Sequence, residues 1–295
     1  MPPPSTPFRL APEWALRAVW LVQPLLVGPA VGAALDPRST AVRTLVTVVA
    51  WCAWAATMVA MLVPRATSLT AIRAVVPATV VLAAWAAGSP DVSTTLGVVA
   101  VVAAVVATAV TGSPAVVDAY VDGSSYGSER RFALRTPLPL LGLAVVTWVL
   151  VAAGATVGPL LLAARQWVLG GVLTVVGAAA VVVGTRSLHG LSRRWLVLVP
   201  SGVVVHDPVG RPESVMAPRP LVVRLGPAPA DSDAVDLTLG ASGLALELET
   251  SEPLPVTVRT SARDLGTEPA TRVVFAVGRP AAVLAEATER KLPVS

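Results

Sequence analysis

Leu138–Val157 reads LPLLGLAVVTWVLVAAGATV, twenty residues without a single charge. A bilayer core about 30 Å thick is crossed by about 20 apolar residues in a helix rising 1.5 Å per residue. This stretch is therefore long enough to span a membrane. Working outward from it, five more runs have similar character: Leu16–Leu35, Val42–Val63, Leu69–Ala87, Val92–Val110 and Trp167–Gly184. About six spans are predicted, forming an α-helical transmembrane bundle over residues 16–185. Gly88-Ser89-Pro90-Asp91 leaves room only for a tight hairpin between the third and fourth. Pro24 and Pro29 predict a kinked first span, tolerable where neighbours satisfy the freed carbonyls.

Composition agrees. Mean hydropathy is +0.72 and charged residues make up 14%, well below the quarter typical of soluble domains. Residues 1–185 hold 10 Arg and 6 acidic residues, whereas residues 186–295 hold 12 basic and 12 acidic ones. The net charge of +4 thus belongs to the membrane half. Because the basic residues gather at helix ends, no nucleic-acid partner is expected. Asn is absent and Ile72 and Lys291 are the sole residues of their types, a bias expected of a high-GC bacterial genome. Residues 1–15, opening on the proline-rich Met1–Pro7, are expected to be disordered and make a poor signal peptide.

Arginine placement sets the expected orientation. Ten arginines (9, 17, 65, 73, 130, 131, 135, 186, 193 and 194) fall in segments on one side, and only Arg38, Arg43 and Arg165 on the other. Both termini are expected in the cytoplasm, with the protein in the cell membrane. Apart from Arg73, and Arg17 and Arg43 at the very starts of the first and second spans, no charged residue lies inside a span. That speaks against a proton- or ion-coupled transporter.

Candidate chemistry is sparse. Cys52, the only cysteine, cannot form an internal disulfide or a thiolate cluster, and reads as a small buried hydrophobe. Trp51 and Trp54 are expected to pack inside the bundle, and Gln23 to make an interhelical hydrogen bond. Gly123-Ser124-Ser125-Tyr126-Gly127 matches the GxSxG form, but a nucleophile elbow needs a strand before it, a helix after it and a triad around it. A glycine-serine turn is the expectation. No catalytic, cofactor-binding or metal-binding residues and no cofactor are predicted. Gly28 and Gly32, Gly154 and Gly158, and the seven-residue repeat Gly170, Gly177, Gly184 mark helix-packing positions. Oligomeric state cannot be read from them.

The 27-residue connection Thr111–Pro137 contains Ser128-Glu129-Arg130-Arg131-Phe132-Ala133-Leu134-Arg135. Arg130, Arg131 and Arg135, with Arg193 and Arg194 after the last span, are candidates for docking lipid or the following domain. The simpler reading is charge that fixes topology. If docking occurs, Glu247 and Glu249, on the expected exposed face of a strand, are the candidate acids.

After Gly184 the pattern turns to short alternation. Trp195–Val199 and Val203–His206 flank a turn. Ser214–Ala217 and Leu221–Leu225 are weaker strands. Asp236–Leu239 and Leu244–Glu249 read as a hairpin about Gly240–Gly243, followed by strands Leu254–Arg259 and Arg272–Val277. Pro280–Lys291 reads as a closing helix with Val283, Leu284 and Ala287 on one face. Residues 186–295 are thus expected to form a small all-β sandwich or barrel with a C-terminal helix. His206-Asp207 sit side by side on a strand and point apart, so Asp207 is expected to accept backbone hydrogen bonds at a turn. The fragment from Leu191 onward is expected to fold alone and, with balanced charge, not to bind anionic vesicles.

Two stretches carry a resemblance: Tyr126-Gly127-Ser128-Glu129-Arg130-Arg131-Phe132 and Arg194–Pro208, RWLVLVPSGVVVHDP. With the order of elements, they resemble uncharacterised actinobacterial multi-pass membrane proteins that end in a bacterial pleckstrin-homology-like (PH-like) domain. The resemblance implies a bent sheet pair plugged by the C-terminal helix and carries no activity. A non-enzymatic membrane protein presenting a PH-like module for protein interaction, assembly or regulation is the expected function. A transporter or channel subunit is the alternative.

Overall fold

The computed structural model describes residues 11–210, 213–259 and 265–295. Among the described residues, six helical segments are long and apolar enough to cross a membrane: Pro12–Leu35, Thr40–Leu62, Ala66–Ala87, Thr94–Gly112, Leu138–Ala163 and Trp167–Leu191. The first is broken into α1 (Pro12–Leu21), α2 (Gln23–Leu26) and α3 (Gly28–Leu35); the others are α4, α5, α6, α8 and α9. Residues 1–10 lie outside the described residues. The helix already begins at Pro12, inside the 1–15 segment read as disordered, because proline suits the first helical turn and Glu13 complements its dipole.

The break in the first span has a local cause. Pro24 lacks the N–H that would bond the Trp20 carbonyl. The Trp54 indole N–H donates to that carbonyl instead, at 3.1 Å, while the Trp20 indole donates to Trp54 O at 3.0 Å. The Gln23 amide, buried beside the break, donates to Val19 O and across to Ala103 O on the fourth span. Trp51, by contrast, stands exposed with its ring edge-on to Trp54, and Cys52 also faces out of the bundle. The inward reading of these two is corrected: an apolar side chain is equally at home against lipid.

Spans α8 and α9 form a close hairpin along a glycine seam. A Cβ on Gly177 would lie 2.2 Å from Gly154 O, one on Gly158 2.5 Å from Thr174 N, and one on Gly184 2.3 Å from the Val151 side chain. Gly170 is also close-packed, its Cβ position 2.8 Å from Leu162 N. Gly28 and Gly32 face open space. Gly177→Ala should therefore force the pair apart at a cost of about 1–3 kcal/mol, the usual range for overpacking. Gly28→Ala should cost nothing, and melting of the two purified variants separates the outcomes.

The 111–137 connection is structured. It holds a helix α7 (Pro114–Asp122), a turn over residues 123–129, and a strand β1 (Arg130–Ala133). Strand β1 pairs antiparallel with β2 (Trp195–Val199), which pairs with β3 (Gly202–His206) and then β4 (Val215–Pro218). A second sheet has the order β5 (Val222–Pro227), β7 (Leu246–Arg259), β8 (Leu265–Phe275), β6 (Val235–Asp236). The first sheet thus reaches back beyond residue 186 to take a strand from between the fourth and fifth spans.

The expected hairpin around Gly240–Gly243 does not form. Strand β6 pairs in parallel with β8, and Leu239–Ala245 is a loop. The two strands expected over 244–259 are one, β7, whose register shifts between Glu249 and Leu254. That irregularity accommodates Pro253, which cannot donate to a ladder. Helix α10 (Pro280–Glu289) closes the module, with Val283 and Ala287 buried in the same core cluster as Leu196, Leu225, Val273 and Phe275.

Candidate functional site: the junction of bundle and β module

Alternate residues of β1 bond in opposite directions. Leu134 N–H donates to Arg194 O on the β2 side. On the other edge, Arg131 N–H donates to Asp122 Oδ1 and Ala133 N–H to Asp118 Oδ1, both at 2.9 Å. The geometry suits the pairing. Residues two apart on a strand are spaced by about 6.6–6.8 Å, and residues four apart on a helix by about 6 Å along its axis. Two carboxylates one turn apart on α7 therefore meet two successive outward N–H groups of an edge strand. Each N–H left buried without a partner would cost about 1–3 kcal/mol.

The same edge stitches the two sheets together. Gly278 N–H donates to Ala133 O, Arg135 N–H donates to Ala276 O, and Leu134 forms an antiparallel bridge with Val277 just past β8. Helix α7 is in turn fastened to the bundle. Tyr120 OH donates to Met61 O at 3.0 Å, the carbonyl that also accepts from Arg17 Nε. Val116, Val117, Tyr120 and Val121 share one buried cluster with Leu16, Trp20 and Ala133. Gly123 is required at the end of α7, since a Cβ there would lie 2.1 Å from Pro64 O.

Asp118 carries the junction's unusual electrostatics. It is buried, its Oδ2 has no hydrogen-bond partner among the described residues, and Arg279 Nη1 lies 3.9 Å away. Burial pushes its carboxyl up to about 6, and the Ala133 N–H and the charges of Arg279 and Arg130 only partly offset it. The folded state therefore holds this proton more tightly than the unfolded one. The group's contribution to stability is full below the ordinary carboxyl value of 3.8 and declines as pH rises to about 6. Asp118→Asn keeps an acceptor for Ala133 and should abolish that decline. Asp118→Leu should destabilise throughout by about 1–3 kcal/mol. Melting temperatures between about pH 4 and pH 7 distinguish the two.

The candidate arginines occupy this junction in different ways. Arg130 pairs with Asp122, and its guanidinium carbon lies 6.0 Å from the Phe132 ring centre. Arg131 donates to Glu129 at 2.9 and 3.1 Å and lies 5.1 Å from the Trp195 ring centre. Arg135 Nη1 donates to Ser242 O at 2.7 Å. Arg193 is exposed. Arg194 is 1% exposed and donates through Nε and Nη2 to Asp207, itself 3% exposed, at 2.7 and 2.8 Å. None of the first three meets Glu247 or Glu249. Arg224 pairs with both, and Glu247, expected on an open face, is buried there and accepts from Ser232 as well.

Asp207 does accept backbone N–H groups, from Val209 and Gly210. Burial works to raise its carboxyl, but the Arg194 hydrogen bonds and charge, with those two N–H groups, hold it below its ordinary value. His206 turns elsewhere, stacking on Trp195 with ring centres 5.3 Å apart and sharing a hydrogen bond with Ser214. Burial, the Arg193 charge and the Arg131 charge lower its pKa, against an opposing pull from Asp207. Ser125 follows helix α7 rather than a strand, and its hydroxyl donates to Asp122. The sequence does not single out Asp118 and Asp122; the only signal it offers is their four-residue spacing, one helical turn.

Comparison with protein-family models, with curated proteins and with solved structures returned no match.

Proposed function

We propose that the chain is a non-enzymatic membrane protein that holds a PH-like β module against the cytoplasmic face of the bilayer as a fixed platform for protein interaction, assembly or regulation. One observation carries this reading: the module is built around a strand from within the membrane half and keyed to the bundle by α7. A module on a tether could swing; this one keeps one orientation to the membrane. The strand order supports the PH-like assignment, with four antiparallel strands in chain order, then β5, β7 and β8 as antiparallel neighbours with β6 added parallel at the edge, then a helix plugging the core. The cytoplasmic assignment rests on the arginines. Arg17, Arg65, Arg73, Arg130, Arg131, Arg135, Arg186, Arg193 and Arg194 lie toward the module's end of the bundle, while Arg38, Arg43 and Arg165 lie at the other; Arg9 is outside the described residues.

The test has two arms. Single cysteines at Ser39, Ser89 and Gln166, in a Cys52→Ala background, should react with an impermeant thiol reagent applied to intact cells, and Glu252→Cys should not. Photocrosslinkers on the module's exposed strands should capture a defined protein in living cells, and capture should fail in Phe132→Ala, where the module is loosened. Selective solute flux by the purified chain in proteoliposomes, with no crosslinked partner, would instead establish the transporter or channel reading.

A further inference from the structure

We propose that the loop Leu239–Leu244 inserts into the headgroup region of the bilayer and serves as a lipid contact of the β module, beside the fifth and sixth spans. Ten consecutive residues, Leu237–Leu246, carry no charge. At the two ends Leu237 and Leu246 are buried in the module core, but between them Leu239 is 36% exposed and Leu244 53% exposed. Positive φ angles at Leu239 (56°), Gly240 (78°) and Gly243 (105°) shape this loop. A leucine is disfavoured in that region. Conformation and composition together leave Leu244 largely exposed and Leu239 partly so.

The loop is tied at two points to where the chain enters and leaves the membrane. On one side Arg135 Nη1 donates to Ser242 O, and α8 begins three residues later at Leu138. Three residues reach at most about 10 Å. The contact is close: a Cβ on Gly243, whose φ of 105° itself disfavours a side chain, would lie 1.9 Å from the same Arg135 nitrogen and displace it. On the other side Leu239 packs at Gly210, and neighbouring Val209 packs at Gly190, in the last turn of α9. An uncharged loop with Leu244 exposed and Leu239 partly exposed, pinned between the two ends of a membrane hairpin, is placed at the lipid interface. Apolar side chains gain there by leaving water, and Arg135 beside them is placed to meet lipid phosphates. A lipid occupant follows from this continuity with the spans, independently of what the rest of the module binds.

The full chain, with Cys52→Ala, is placed in phosphatidylcholine–phosphatidylglycerol nanodiscs and labelled with an environment-sensitive fluorophore at Leu244→Cys or, as reference, at Glu252→Cys. Glu252 lies six residues along β7 from its membrane-proximal start. With nitroxide carried on a shallow acyl position of the lipid, emission from position 244 should be quenched at least twofold more than from position 252. Equal quenching overturns the proposal. If emission at 244 is then red-shifted, the loop lies in water; if blue-shifted, it is covered by protein.

Discussion

A fragment beginning at Leu191 should not give a cooperatively folded β module. It lacks β1, whose Phe132 and the adjoining Leu134 belong to the module core and whose backbone completes the first sheet and bridges to the second. Removing a buried phenylalanine side chain alone typically costs about 3–5 kcal/mol, against about 5–15 kcal/mol of total stability; the fragment also loses four paired residues and a second large apolar group. The structure supplies the remedy. Ala133 faces Trp195 across the ladder, so the α8–α9 hairpin leaves and re-enters at one point. Residues 128–135 joined to 193–295 by a short Gly-Ser linker should form an ordinary hairpin and restore folding. Equal, cooperative thermal unfolding of the fragment and the joined chain would show that β1 is dispensable. In the full chain, Phe132→Ala should make the module the first target of limited proteolysis.

The second large effect lies in the Arg194–Asp207 pair. Removing one partner strands the other charge in the core, and about 3–5 kcal/mol of destabilisation follows from either Arg194→Met or Asp207→Leu. The double substitution should recover most of that loss, since an apolar pair of similar volume is often as stable as a buried ion pair. Thermal unfolding of the joined β1–module chain, through all four members of the cycle, measures it. The pH dependence has a definite sign. The Asp207 carboxyl sits below 3.8 in the folded state, so its contribution is present above the unfolded value and is lost as pH falls through the folded one. Acid unfolding below about pH 4 should therefore be blunted in the double variant.

What the sequence made legible followed period and length. Runs such as Leu138–Val157 announce themselves because a bilayer demands about twenty apolar residues, and Trp195–Val199 because alternation matches a half-buried strand. The β1 assignment was hidden by brevity and by charge: Arg130 and Arg131 read as topological signals, and a four-residue strand has too few positions to show a period. Its partner lies across two membrane spans, which no local pattern records. Asp236–Leu239 misled for the converse reason. Its alternation and the following glycines imitate a hairpin, yet strand β6 is parallel to β8, and non-local pairing of this kind leaves no trace in turn chemistry. The docking contact proved to be backbone N–H to carboxylate, with the acids on α7, one of them also the partner of Arg130, so looking for acids on the sheet pointed away from it.

The position of β1 also sets an order of events during synthesis. About 60 residues separate Ala133 from its partner Trp195, so at 5–20 residues per second the strand waits roughly 3–12 s for β2 to be made. In that interval the fifth and sixth spans are produced and must enter the bilayer. One edge of β1 need not remain bare meanwhile, since α7 precedes it and brings Asp118 and Asp122 within reach. The other edge stays open until the hairpin has turned and brought residue 195 back to the same surface. A hairpin that failed to insert would leave Phe132 and Leu134 without their sheet, so a closed β module is itself the record that the last two spans crossed the membrane.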